Sequence, residues 1–255
     1  MADMAEALAL LQTGLVAGIA VFLRVGAAMA VLPAFGERSV PVRIRLGLAL
    51  AFTVIVAPAV ADRVAGLDWP ALWPLFGTET VIGLVFGLVL RLMVFVLMIA
   101  GSIAAQSTSL AQIFGGAGVD PMPAIGHVLV VGGLALAAMS DLHLHLAAAL
   151  IATYDLFPPG TLLPAGDLAG MGVARIGQVF ALGFTLAAPF VLAAFIYNVA
   201  LGVINKAMPQ LMVAFVGAPA ITGAGLALLA LTAPLLLEVW LDALGAALAD
   251  PFGAP

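Results

Sequence analysis

Tyr197-Asn198-Val-Ala-Leu-Gly-Val-Ile-Asn205-Lys206-Ala-Met-Pro209-Gln210-Leu-Met-Val-Ala-Phe-Val-Gly217 interrupts a chain that is otherwise apolar enough for lipid. An unpaired polar group in hydrocarbon costs several kcal/mol. A membrane helix therefore carries an Asn, an Asn-Lys pair and a Pro-Gln within about four turns only where those groups meet protein or water. The stretch predicts a helix end and a reversal of the chain, facing something besides lipid.

Composition on either side of it points the same way. Of 255 residues, 65% are hydrophobic and only 8% charged, with a mean hydropathy of +1.27. Soluble domains carry about 25% charged residues. The chain reads as an integral membrane protein, or one built inside a larger apolar assembly. Cys is absent, so disulfides and thiolate metal sites are excluded. Asp3 and Glu6 stand where a signal peptide would have its positive region, so the N-terminal run is expected to be retained. The net charge of −5 says little about partners, because topology follows Lys and Arg near helix ends. The few basic residues form no face, and nucleic acid is not an expected partner.

Apolar runs occupy 7–35, 46–61, 70–105, 124–151, 172–204 and 211–248. A helix needs about 20 apolar residues to cross a bilayer. Several runs exceed that and one falls short, so some helices are expected to be kinked, tilted or not spanning, with roughly five to seven true spans. Polar breaks fall at Pro33 to Arg45, Asp62 to Trp69, Gly115 to Pro123, Asp155 to Asp167 and Lys206 to Gln210. Trp69, Trp73 and Trp240 suit the headgroup level, or burial against a partner chain. Gly83 and Gly87, one turn apart, allow close approach of helix backbones. The expected fold is all-α: an integral membrane unit of long broken helices arranged as hairpins, without a separate soluble domain.

Few residues offer chemistry. Gly115, Gly116 and Gly118 permit positive φ, while Pro121 and Pro123 forbid a continuous helix. Phe114 to Pro123, with Asp120 and Met122, is thus a flexible loop between two apolar helices, and by itself it reads as an ordinary connection. Asp141, His143 and His145 are the one acid and histidine cluster. On a helix the two histidines lie about 200° apart and do not readily share a metal. Asp141 and His145 can pair on one face, or Asp141 can cap a helix. Arg24, Glu79, Arg91 and Arg175 sit in or beside apolar runs, where charge is costly enough to imply a role. Arg24 and Arg91 can pair with acids or helix C-terminal carbonyls of neighbouring subunits, or line a water-filled channel, with Glu79 as one available partner. Arg38, Arg43 and Arg45 form the densest positive cluster, which alone would place their loop on the cytoplasmic side. No nucleophile and base pair, phosphate-cradling loop or paired carboxylate is present. No catalytic residue, cofactor or metal is expected.

The segment Asn198 to Leu211, together with Pro33-Ala-Phe-Gly-Glu-Arg38 and Pro41-Val-Arg-Ile-Arg45, resembles the FliR family of flagellar export-gate membrane proteins in order and spacing across nearly the whole chain. Met212, Ala214 and Ala218-Pro219-Ala220 depart from that family's usual pattern. The resemblance implies a non-enzymatic component of the flagellar type III export gate in the bacterial inner membrane and basal body. It implies FliP, FliQ and FlhB homologues as partners, membrane lipid as surroundings and unfolded flagellar proteins as cargo, in an assembly largely lifted out of the usual bilayer plane. Within it, residues 1–160 would be FliP-like and 161–255 FliQ-like. Phe114, Gly115, Gly116, Gly118, Asp120, Pro121, Met122 and Pro123 would form the plug that closes the channel. Asn198, Asn205, Lys206, Pro209 and Gln210 would contact neighbouring subunits. Arg24, Glu79 and Arg91 would be buried or lumen-facing. Two other readings stand beside it. One is an injectisome export-gate protein, against which Gly202, Gly217 and the small residues after Pro219 favour the flagellar branch. The other is a secondary transporter using Asp141, His143, His145 and the Tyr197–Gln210 break.

Overall fold

A computed structural model describes residues 2–37, 40–67, 70, 72–108, 124–161, 164–208 and 213–253. Every element among them is helical: α1 (Ala2–Val31), α2 (Val42–Ala59), α3 (Leu72–Thr108), α4 (Ala124–Met139), α5 (Leu142–Leu156), α6 (Ala165–Ala207) and α7 (Val213–Ala249). In an apolar medium only a helix or a closed barrel satisfies every backbone N–H and C=O within the chain, and these continuous apolar runs lack the period-two alternation of barrel strands. The described chain is all-α, as the sequence predicts.

Five helices are long and apolar enough to cross a membrane, and α4 with α5 supplies a sixth candidate span. At 1.5 Å per residue, the 37 residues of α3 reach about 55 Å and the 43 of α6 about 65 Å, well beyond a hydrocarbon core of about 30 Å. The 18 residues of α2 reach only about 27 Å. Helix starts differ from the apolar runs in places. Arg43 and Arg45 lie inside the first turns of α2 and not in the preceding loop, because Pro41 accepts from the Ile44 and Arg45 N–H groups and starts the helix early.

The run 124–151 is not one helix but two. It breaks by 76° between Met139 and Leu142, where Asp141 adopts φ 55 in the left-handed region. Asp141 holds the N-cap position of α5 without a side-chain cap. Its carbonyl accepts from Leu144 N and His145 N, and His145 Nδ1 also lies 3.2 Å from it. His145 thus meets the backbone of Asp141, where the sequence allowed a pairing of side chains.

The helices pack as two compact units. The first comprises Met1–Leu92, Ala138–Arg175 and Leu244–Pro255; the second comprises Met93–Ala137 and Ile176–Ala243. In the first unit α2 packs along α1 and touches α5. Gly83 and Gly87 of α3 face α1 so closely that a Cβ on Gly83 would overlap the Arg24 carbonyl oxygen, and one on Gly87 would overlap Val31. These two glycines set the α1–α3 spacing, the role their separation predicts. In the second unit Gly101 of α3 stands equally close to Gly126 of α4.

The tryptophans part company. Trp73 is exposed, as an interfacial residue would be, and Trp69 lies outside the described residues. Trp240 is fully buried in the second unit, with Nε1 donating to the Met93 carbonyl at 2.7 Å. Its headgroup-level placement is thereby corrected: the indole N–H has a backbone acceptor inside the protein and needs no water.

Candidate functional site

Two opposite charges sit at the centre of the first unit with no solvent exposure. Arg24 of α1 and Glu79 of α3 are each 0% exposed, and Arg24 Nε donates to Glu79 Oε2 at 2.8 Å. Arg24 Nη1 donates to Thr153 Oγ1 at 3.1 Å and Nη2 to the Phe157 carbonyl at 2.8 Å. The Tyr154 ring lies 3.7 Å from the guanidinium carbon, a cation–π contact in a desolvated place. The other Glu79 oxygen, Oε1, accepts from Gly160 N at 3.2 Å. One arginine thus ties α1, α3, the end of α5 and the turn that follows it.

Local sequence explains why the turn reaches this far inward. Thr161 N donates to the Pro158 carbonyl and closes a turn over Pro158-Pro159-Gly160-Thr161. Proline suits the second position of such a turn, and the third, at φ +83, is glycine. The glycine backbone N–H is thereby delivered to Glu79. Thr153 completes the set from inside α5, passing its own hydroxyl hydrogen to Leu150 O at 2.6 Å while accepting from Arg24.

This arrangement holds helices together. Each charge has its counter-ion, and the Tyr154 hydroxyl beside them is buried without a hydrogen-bond partner among the described residues. Burying the pair is costly, and the direct Nε–Oε2 bond together with the bonds to Thr153, Phe157 and Gly160 is what repays it.

Arg91 does not join the pair. Its Nη1 donates to the Val31 carbonyl at the end of α1 at 3.2 Å, and Nη2 lies 3.9 Å from Glu37 Oε2. That is the helix-end pairing the sequence allowed, made within the chain. Arg45 Nη2 reaches the Glu37 carbonyl at 2.9 Å, so Arg45 and Arg91 both fasten the loop between α1 and α2. Arg175 Nη2 holds the Asp250 and Gly253 carbonyls at 2.7 and 3.1 Å.

The other predicted residues lie apart. Asn198, Asn205 and Lys206 are exposed along the last three turns of α6. Among the described residues Asn198 Nδ2 bonds only Ala194 O of its own helix, at 2.8 Å. From Asn198 to Met208 every residue is exposed except the half-buried Leu201. Tyr197 Oη donates to Gly217 O at 2.7 Å and joins α6 to α7 across the reversal. Pro209 and Gln210 lie outside the described residues, as does the whole of Phe114, Gly115, Gly116, Gly118, Asp120, Pro121, Met122 and Pro123.

Sequence reasoning missed Thr153, Tyr154, Phe157 and Gly160 as partners of the buried pair, and Glu37 as a partner of Arg91. The signal was present in part: a Thr-Tyr at the end of an apolar run, followed by Pro-Pro-Gly, marks a turn beside polar groups that must go somewhere.

Residues 15–247 match the family described as bacterial export proteins, family 1. The chain is 36% identical over 227 residues to the flagellar biosynthetic protein FliR of Caulobacter vibrioides, covering 87% of this chain and 90% of that one. It is 31% identical to FliR of Escherichia coli K12 over 84% of this chain and 83% of the other. For FliR of Bacillus subtilis the identity is 27%, over 78% and 79%. With long apolar helices in one continuous unit of sequence and similarity running through nearly all of them, the chain belongs to the FliR family of bacterial export proteins.

Proposed function

We propose that this chain is a non-enzymatic subunit of the flagellar type III export gate of the bacterial inner membrane. It joins FliP- and FliQ-type subunits around a pore for unfolded flagellar proteins, with an FlhB-type subunit at the entrance. The observation that carries this reading is the end of α6. A helix far longer than a bilayer needs ends in three turns exposed on nearly all sides, carrying Asn198, Asn205 and Lys206 among Phe195, Ile196, Val199 and Val203. Lipid would suit the apolar groups and not the polar ones; a neighbouring subunit suits both.

The naming of relatives as flagellar biosynthetic proteins favours the flagellar branch over the injectisome. No observation favours the transporter. Residues 1–160 as a FliP-like part and 161–255 as a FliQ-like part remain within the proposal; the α6–α7 reversal gives the second part its hairpin. Residues 114–123 form the plug in this reading, with Phe114, Met122 and Ile125 as bulk in the lumen and Gly115, Gly116 and Gly118 letting it swing aside.

The test is native mass spectrometry of the chain purified after co-expression with its operon neighbours. One copy of this chain with several copies of two other small membrane proteins is the expected result. A lone monomer or homodimer, under conditions that preserve such complexes, overturns the proposal. Deleting 115–123 in the assembled gate should raise its leak to small solutes, and unchanged permeability would leave that loop a mere connector.

A further inference from the structure

The first unit carries an outward-opening groove of about 320 Å³ that the charge network above does not use. Its walls are Phe22, Gly26 and Ala27 of α1 and Leu46 and Ala49 of α2, with Thr80 of α3 beside them. Gly26, Ala27 and Ala49 make the depression because they are small. In a membrane-embedded chain such a trough takes an apolar rod.

The wall formed by α2 carries one positive charge. Arg45, also in the lining, sits one turn into α2. Its Nη2 is engaged by the Glu37 and Val40 carbonyls, which leaves its buried Nε–H with no acceptor among the described residues. Arg43, exposed on the same turn, has no hydrogen-bond or ion-pair partner among the described residues. The first turn of α2 has no acidic residue and no side-chain cap, and although Ile44 N and Arg45 N donate to the Pro41 carbonyl, the helix dipole adds partial positive charge there. The Glu37 carboxylate lies 3.9 Å from Arg91 Nη2, while its backbone carbonyl is what Arg45 reaches.

We propose that this groove binds one acyl chain of an anionic phospholipid, whose phosphate is held by Arg45, Arg43 and the start of α2. An apolar trough with Arg45 in its wall, held by carbonyls and not by a carboxylate, and with the exposed Arg43 on the same turn matches a molecule with an apolar tail and an anionic head, and matches a zwitterionic lipid less well. The proposal rests on the membrane embedding of the chain and not on the export-gate reading, so either can fail alone.

Gly26 provides the cleanest test. A Cβ there meets only the Phe22 ring, at 3.6–3.8 Å, which is ordinary contact. Gly26→Leu should therefore fill the trough without displacing backbone, while leaving both arginines in place. Native mass spectrometry of the full chain in detergent, titrated with phosphatidylglycerol or phosphatidylcholine, reads the outcome. One phosphatidylglycerol per chain should bind more tightly than phosphatidylcholine. Arg43→Gln should weaken it about fivefold, and Gly26→Leu should abolish the preference. Arg45→Gln would also unhook the loop at Glu37, so the other two variants carry the decision. Equal binding of the two lipids overturns the proposal. So does phosphatidylglycerol binding unchanged by Gly26→Leu, which would mean surface electrostatics alone, or competition by inorganic phosphate, which would mean an anion site without a lipid. A photo-crosslinker at Ala27 in the assembled complex should capture lipid; capture of a protein subunit would show a helix in the groove and equally overturn it.

Discussion

Arg24 and Glu79 in the first unit, and Asn198, Asn205 and Lys206 at the end of α6, pose the same problem: polar groups in helices of overwhelmingly apolar sequence. The chain solves it in opposite ways. The first pair is wholly enclosed and fully answered by α1, α3, α5 and the Pro-Pro-Gly turn. The second set is exposed, with Asn198 bonded, among the described residues, only to its own helix. Polar groups that a chain satisfies internally fix its own packing. Those it leaves exposed in an apolar setting are satisfied by something outside it.

The comparison is broken most forcefully at Glu79. Glu79→Leu strands the Arg24 charge in the core, and the solubilised chain should lose about 3–5 kcal/mol of stability. Arg24→Met combined with Glu79→Leu should recover most of that, because the penalty lies in the uncompensated charge more than in the missing contact. Thermal unfolding of both variants in one detergent measures it. A double variant no better than the single would show that the hydrogen bonds to Thr153, Phe157 and Gly160 matter more than the charge balance.

A smaller effect comes from two glycines. Gly83→Ala drives a Cβ into the Arg24 carbonyl and should destabilise by about 1–3 kcal/mol as α3 is forced off α1. Gly202→Ala meets nothing within 4 Å and should be neutral or stabilising by up to about 1 kcal/mol. The same unfolding assay separates them, and equal losses would mean that the end of α6 is packed more tightly than its exposure indicates.

Lys206→Glu should change the isolated chain least, within about 0.5 kcal/mol, yet lower the yield of the assembled complex. Affinity purification on a tagged neighbouring subunit, set beside unfolding of the lone chain, measures both. An intact complex would remove Lys206 from the subunit contact and blur the contrast with Arg24.

Much of the architecture was legible without coordinates. The breaks that begin at Pro33 and Asp62 start between helices, while those that begin at Asp155 and Lys206 start in the last turns of α5 and α6 and run past their ends; single prolines such as Pro58 and Pro189 sit inside helices without ending them. The closeness of α1 and α3 was legible at Gly83 and Gly87. The bend at Asp141 was only half legible. Its polarity marked a helix start, but nothing local announced a 76° change of direction, because a left-handed residue costs little enough that surrounding packing decides it.

The sequence by itself determined that the chain is helical, membrane-embedded and of the FliR family. The first two follow from composition and from the rule that a backbone in hydrocarbon must satisfy its own hydrogen bonds, and the third from residues shared in order and spacing with relatives; none of these needs a partner to be known. Tertiary structure alone decided that Arg24 meets Glu79 and not a neighbouring subunit, that Arg91 goes to Val31 and Glu37, and that Trp240 is interior. Arg24's partners lie 55, 129 and 133 residues away. Charge and hydropathy say that such a residue must be answered; only the packing of distant helices says by which one.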